Sequence, residues 1–238
     1  MASASMKIVD KIWSKNAEFF LRVKHNSQER VLHPEMARLV NIQNPKNVLD
    51  FGCGDGRLIN LLNKNTDVDI YDKNSEMVDI AESKLGNRIK NAYRELDDIE
   101  NDKYDAVILG MVLVCIDNID EFDTVLQKIR FAKRQTGYLY VSITHPCFRE
   151  KEFSNFKTSF GSSQSFNYFE EGEPFTVKIK DDTPPGVAFT DYHWSLSFTI
   201  NSFIKAGFSI EEMLELRDDN QSKKFNQNFS GFIIFKLK

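Results

Sequence analysis

Val48-Leu49-Asp50-Phe51-Gly52-Cys53-Gly54-Asp55-Gly56 is the stretch that decides the fold of this chain. A hydrophobic strand enters a turn with glycines at alternate positions, 52, 54 and 56. A helical run, Arg57-Leu58-Ile59-Asn60-Leu61-Leu62, is expected to follow. Glycine lets the backbone turn sharply and leaves no Cβ between the chain and a ligand. The start of a helix offers N–H groups without partners. About twenty residues beyond the turn a second strand ends at Asp72, where a carboxylate can hold the two hydroxyls of a ribose. These features together describe an α/β domain built to hold a nucleoside.

Strand and helix signals alternate outward from that turn. Strands are expected at Asn47–Phe51, Val68–Tyr71, Tyr104–Leu109 and Tyr138–Ile143, with a weakly patterned one between Arg88 and Arg94. Helices are expected at Glu35–Val40 behind Pro34, at Ser75–Leu85 with Ser75 as N-cap, and at Ile119–Ala132. Such alternation means a parallel sheet with helices on both faces. Ile8, Ile12, Phe19 and Val23 have helical spacing and predict a helix ahead of this core. From His145 to about Tyr192 the pattern changes: Phe148, Phe153, Phe156, Phe160, Phe166, Phe169, Phe175 and Phe189 stand among glycine, serine and acidic residues. Phe175–Ile179 alternates like a half-exposed strand. The segment reads as an aromatic cap inserted over the carboxyl ends of the strands, or as surface aromatics padding an interface. Leu196, Ile200, Phe203 and Ile204 mark an amphipathic helix ended by Gly207. Ile210–Leu216 and Gly231–Leu237 then suit an antiparallel pair at the sheet edge.

The 238 residues suit one domain, expected over 7–238. It divides into an N-terminal helical segment (7–44), a cofactor-binding core (45–145), an inserted cap (146–191), and a C-terminal helix with edge strands (192–238). Hydrophobic residues make up 41% and the net charge is −4, so a packed core is expected and a broad basic footprint for long nucleic acid is not. Cys53, Cys115 and Cys147 are scattered, with no CxxC or HxxxH spacing, so no zinc site is expected. Cys53 and Cys115 fall in core segments, which suggests reduced thiols and a cytoplasmic setting. No stretch is apolar enough to predict a signal peptide or a membrane span. Residues 1–5 read as a small-residue leader.

The run Leu49-Asp50-Phe51-Gly52-Cys53-Gly54-Asp55-Gly56-Arg57-Leu58 resembles the glycine-rich motif of class I S-adenosylmethionine-dependent methyltransferases, and the resemblance extends from about Trp13 to the end. A dinucleotide-binding enzyme more usually has glycine at position 57, where this chain has Arg57. Tyr104-Asp105-Ala106-Val107-Ile108 is similar to the family's fourth strand. Thr144-His145-Pro146-Cys147-Phe148 resembles the SHPCF sequence of a small-molecule branch. Asp191-Tyr192-His193-Trp194-Ser195-Leu196, continuing to Ala206-Gly207-Phe208, resembles that branch's YHRPLS and EAGF. Trp194 and Ser195 replace its arginine and proline, and Ile70 replaces a common glycine before Asp72.

The resemblance implies a seven-stranded, mostly parallel Rossmann-like sheet of order 3-2-1-4-5-7-6, with the last strand antiparallel and the aromatic cap after strand five. It implies S-adenosylmethionine as cofactor, S-adenosylhomocysteine as product, and Asp50, Gly52, Cys53, Gly54, Asp72, Lys73, Glu95, Leu96, Gly110, Met111 and Val114 around them. Gly52 and Gly54 pass beneath the methionine and ribose, or form a tight structural turn. Asp50 orders the glycine loop through backbone hydrogen bonds and faces the cofactor's amino group. Asp72 holds the ribose, or caps a helix. Glu95, with Asp97 as competitor, reads adenine N6, or is a solvated acid; the N–H of Leu96 faces adenine N1. Met111 and Val114 touch the cofactor or simply pack.

Methyl transfer is an in-line displacement at a sulfonium carbon, so the enzyme mainly aligns the nucleophile and excludes water. Where a base is needed, histidine suits neutral pH. His145 and His193 are the candidate catalytic groups, with Tyr192 as a further donor; bracing the cap or starting a helix are their structural alternatives. The expected partner is a small molecule methylated on nitrogen or oxygen, its substrate side lined by aromatic residues, although those phenylalanines equally suit a core for the cap itself. The alternatives are methylation of a peptide terminus or RNA base, and a binding module without turnover. Oligomeric state has no signature in the sequence.

Overall fold

The computed structural model describes residues 27–152, 156–160, 166–179, 188–217 and 228–238. The helix expected within residues 7–25, and Phe153 of the aromatic segment, lie outside the described residues.

Helix α1 (His33–Ile42) carries Pro34 in its first turn, where a missing N–H costs no hydrogen bond, and buries Met36, Ala37, Leu39 and Val40. Strand β1 (Asn47–Phe51) leads into the glycine turn. Strand β2 (Asp67–Tyr71), helix α2 (Ser75–Leu85), β3 (Ile89–Tyr93), β4 (Tyr104–Gly110), helix α3 (Ile119–Ala132) and β5 (Lys133–Thr144) follow. Beyond them come β6 (Phe156–Ser159), β7 (Glu173–Ile179), β8 (Ala188–His193), helix α4 (Leu196–Lys205), β9 (Ile210–Leu216) and β10 (Phe232–Leu237).

The main sheet has seven strands in the order β3-β2-β1-β4-β5-β10-β9. The first five are parallel, and β10 runs antiparallel to both β5 and β9. This is the expected architecture, including the weakly patterned third strand. That strand is hard to read because β3 is an edge whose residues are only partly buried. The central strands are buried on both faces. Leu49, Val107, Leu139 and Val141 meet Phe122 and Ile129 of α3 on one side. Val48, Ile70, Ala106 and Ile108 meet Val40 of α1 and Val78 and Ala81 of α2 on the other. Successive side chains of a strand point to opposite faces, so each central strand feeds two cores.

Two local expectations are corrected. Residues 57–61 form a short 3-10 helix, Arg57–Leu61, in place of a full helix. Only a few residues separate it from β2, too few for several helical turns and a return. Distant side chains take up the freed backbone groups. Asn41 donates to the Leu61 carbonyl and accepts from Asn63 N, and the Arg88 guanidinium donates to the carbonyls of Lys64 and Asn63. The N-cap of α2 is Asn74, not Ser75: its extended backbone and its side chain, which accepts from Glu76 N at 3.0 Å, meet the requirement one residue earlier.

The aromatic segment contains a second, three-stranded antiparallel sheet, β6-β7-β8. It is fastened to the start of α4. Ser195 caps that helix through Phe198 N, while Glu171 accepts from Ser195 N and from its hydroxyl. Trp194 stacks on Phe198 and donates its indole N–H to the Ile116 carbonyl. Where the family resemblance has an arginine, this chain thus has a buried anchor. No helix among the described residues is long and apolar enough to cross a membrane.

Candidate functional site

The carboxyl ends of β1, β2, β4 and β5 open onto a cavity of about 890 Å³. That lies within the roughly 300–1,000 Å³ of small-molecule sites. The glycine turn forms part of its wall. Gly52 has φ +76°, and a Cβ there would overlap the Val112 side chain. Gly54, at φ +53°, differs: a Cβ there would meet nothing within 4 Å. The protein needs the first glycine for its own packing. The second leaves an empty place beside the backbone, on the cavity wall.

Carboxylates surround this turn in contrasting states. Burial would raise Asp55, but Lys84 and Arg57, each 2.8 Å from its Oδ2, outweigh that and hold it below the usual carboxylate range. Asp72 is pushed up by burial, and its oxygens accept from Gly54 N and Asn74 N at 2.9 Å each. Asp50 is pushed up to about 7, first by burial and then by the Asp72 and Asp55 charges. It has no hydrogen-bond partner among the described residues. The tie that orders the glycine loop therefore runs from Asp72, where it was expected from Asp50. Asp50 and Asp72 remain as wall acids without a cationic partner among the described residues.

Asp50, Gly52, Cys53, Gly54, Asp72, Lys73, Glu95, Leu96, Gly110, Met111 and Val114 all line this one cavity, whereas Asp97, the competitor to Glu95, does not. Lys73 also bridges to Glu121 of α3 at 2.9 Å. Met111 has φ +61°, a left-handed conformation that a side chain adopts at a cost, and its N–H is tied to the Ser142 carbonyl at 2.9 Å.

The three candidate catalytic residues separate. His145 lines the cavity, yet both ring nitrogens are engaged: Nδ1 accepts from Cys147 N at 3.2 Å, and Nε2 lies 2.6 Å from Glu215 Oε1. Burial holds its pKa below the ordinary value. His193 does not line the cavity. It is fully buried, held to about 4 by burial, and its Nε2 is 2.8 Å from the Tyr168 carbonyl. Tyr192 does not line it either. The reason is strand periodicity: Phe175, Val177, Phe189 and Asp191 alternate on the cavity face of β7 and β8, so their neighbour Tyr192 points the other way.

Two residues that sequence reasoning passed over stand in this wall, Arg149 and Asp191, both buried. The period-2 pattern Phe189, Asp191, His193 was a usable signal for the acid. The arginine, just after the His145–Phe148 run, carried none. The phenylalanines also divide. Phe148, Phe156, Phe175 and Phe189 line the cavity, Phe160 and Phe166 stack on each other, and Phe169 is exposed.

A methyltransferase-domain family model matches residues 23–172, more than half of the chain, and the chain belongs to that family. This is the class of S-adenosylmethionine-dependent methyltransferases. The ubiquinone biosynthesis O-methyltransferase of Rickettsia prowazekii (strain Madrid E) is 32% identical over 123 residues, 49% of this chain and 48% of that protein. The match thus spans about half the length of that curated relative. Among solved structures, a putative S-adenosylmethionine-dependent methyltransferase from Listeria monocytogenes is 20% identical with TM-score 0.62, covering 87% of this chain and 97% of that one. The Burkholderia thailandensis 1,6-didemethyltoxoflavin-N1-methyltransferase, with bound 1,6-didemethyltoxoflavin and S-adenosylhomocysteine, is 12% identical with TM-score 0.62, covering 100% and 90%. At such identities these two likenesses establish the fold.

Proposed function

We propose that this protein transfers the methyl group of S-adenosylmethionine to a nitrogen or oxygen of a small molecule bound under the three-stranded sheet. The observation that carries this reading is the continuity of one cavity, from the open place beside Gly54 and the acids Asp50 and Asp72 to the aromatic wall of β7 and β8. The wall fits the cofactor. Gly54 leaves room for close approach of a nucleoside. Asp72, after binding two backbone N–H groups, keeps further lone pairs for ribose hydroxyls. Asp50, without a hydrogen-bond partner among the described residues, suits the methionine ammonium, and Glu95 with Leu96 suits the adenine edge. S-adenosylmethionine supplies an activated methyl on a positively charged sulfur. The chain's own work is to hold that cation among acids, line up the acceptor and exclude water. His145, neutral and tied at both nitrogens, fixes the wall near Phe148, whose ring lies 4.6 Å from its own. The small-molecule acceptors in the names of the Rickettsia and Burkholderia proteins support a small acceptor here.

The test is thermal. S-adenosylhomocysteine at about 100 times its dissociation constant should stabilise the protein by roughly 2.7 kcal/mol. NAD should not stabilise it. A shift with NAD and none with S-adenosylhomocysteine would overturn the reading. Labelled S-adenosylmethionine should then mark small molecules in a metabolite extract, and not peptide or RNA pools.

Asp50 adds a pH signature. In the free protein it holds its proton up to about pH 7, and an ammonium beside it favours the carboxylate. Cofactor affinity should therefore fall about tenfold from about pH 8 to about pH 6, and the Asp50→Asn variant should lose that slope. Without ligand the sign for stability is opposite. The folded state binds more protons than the unfolded state between about pH 4 and about pH 7, so Asp50 lowers stability as pH rises through that window. Calorimetric titration across pH measures the first effect; an affinity flat with pH would reject the ammonium contact.

A further inference from the structure

Asp191 and Arg149 are not among the residues assigned to the nucleoside, yet both are buried ionisable groups on the cavity wall, 6% and 3% exposed. An unpaired buried charge is expensive, so such groups are ordinarily matched by an opposite charge. Here no N···O distance between Arg149 and any acid among the described residues falls within 4.0 Å. The Asp191 carboxylate accepts no hydrogen bond from the described residues.

Geometry holds the pair in place. Arg149 donates from Nε to His193 Nδ1 at 3.4 Å and from Nη1 to the Thr144 hydroxyl. Its guanidinium carbon sits 4.7 Å above the centre of the Phe175 ring. Nη2 has no hydrogen-bond partner among the described residues. His193 is fixed in turn by the Tyr168 carbonyl, so the ring expected to act in catalysis instead orients the guanidinium. Asp191 is the cross-strand partner of Phe175 in the register of β7 and β8. Directly opposite residues share a face, so the carboxyl stands beside the ring over which the guanidinium lies. The Cys115 thiol, which also lines the cavity, is raised mainly by burial and then by the charges of Asp191 and Asp72.

We infer that Arg149 and Asp191 are the substrate-reading pair of this cavity. The acceptor is a planar aromatic or heteroaromatic acid whose carboxylate is held by Arg149 and whose methyl-accepting N–H or O–H donates to Asp191. This rests on the methyltransferase reading above and narrows its substrate class. Phe148, Phe175 and Phe189 supply flat apolar walls for the ring. The planar guanidinium matches a carboxylate as a fork, which an ammonium does not. The hydrogen bond to Asp191 turns the acceptor's N–H or O–H toward the wall and leaves a lone pair for the methyl carbon. As the new N–C or O–C bond forms, the carbon–sulfur bond breaks with its electron pair left on the sulfur of S-adenosylhomocysteine, and the acceptor's proton passes to the Asp191 carboxylate.

The experiment uses the full chain saturated with S-adenosylhomocysteine. One- and two-ring aromatic and heteroaromatic acids bearing an amino or hydroxyl group are titrated by calorimetry, each beside its carboxamide and its fully N- or O-methylated form. 2-Aminobenzoate with 2-aminobenzamide, and 2-hydroxybenzoate with 2-methoxybenzoate, are examples. At least one acid should bind more than tenfold more tightly than its amide, and Arg149→Met should remove that preference. Asp191→Leu, which leaves no acceptor, should remove the preference for the unmethylated form. S-adenosylhomocysteine binding by each variant shows that it is folded, and Arg149→Lys, which keeps the charge without the fork, serves if Arg149→Met does not fold. Acids and amides binding alike, no acid binding, or preferences that survive the substitutions would overturn the inference. Loss of S-adenosylhomocysteine binding by the unmodified protein would instead sink the methyltransferase reading.

Discussion

Replacing Asp72 with alanine should weaken S-adenosylhomocysteine binding about a hundredfold, roughly 2.7 kcal/mol. The size follows from what the carboxylate is left to do. Its oxygens already accept from Gly54 N and Asn74 N, which fixes its orientation at the end of β2 before any ligand arrives. Burial has already raised its pKa, so the cost of removing it from water falls on folding and not on binding. Two ribose hydroxyls would then add charge-assisted hydrogen bonds, each worth about 1.5–3 kcal/mol. The same substitution frees two backbone N–H groups, so the melting temperature should fall as well. Calorimetry on the folded variant separates the two effects. A lower melting temperature with unchanged affinity would mean that Asp72 only ties the loop, and the ribose contact would be rejected.

How far the sequence discloses this molecule depends on the range of each interaction. The glycine turn, Asp72 and the strand–helix alternation are local patterns, and the α/β class was legible from them; the seven-stranded order followed from the family resemblance they carry. The short 3-10 helix after Gly56 was not, because the groups that complete it come from Asn41 and Arg88, far away in the chain. The shift of the α2 cap from Ser75 to Asn74 is a one-residue matter of backbone angle, which composition does not encode. On the substrate side, His145 and His193 attracted the catalytic reading because histidine titrates near neutrality. Their titration is suppressed by burial, and their partners, Glu215 and the Tyr168 carbonyl, come from distant segments. Arg149 and Asp191 were passed over for the complementary reason. A surface charge and a buried one look alike in sequence, and only the pairing of β7 with β8 sets Asp191 beside Phe175.

The glycine turn gives the sharpest separation of scaffold from site. Gly52→Ala and Gly54→Ala both place a side chain at positive φ, which costs about 1–2 kcal/mol. At Gly52 the new methyl also overlaps Val112, whose branched side chain is stiff, and overpacking of that kind adds about 1–3 kcal/mol. Gly52→Ala should therefore produce the larger loss of stability in thermal melts. Gly54→Ala meets no protein atom, so its stability loss should stay near the backbone term alone. On the proposed reading its methyl stands where the nucleoside would approach the turn, and S-adenosylhomocysteine affinity should fall by more than tenfold, at least 1.4 kcal/mol. A turn that served structure alone would give the opposite pattern for Gly54, a modest drop in melting temperature with full affinity. Measuring both variants, each with and without ligand, distinguishes the two cases, because the proposed origin of the two penalties differs: at Gly52 the competitor for space is the Val112 side chain, and at Gly54 it would be the cofactor.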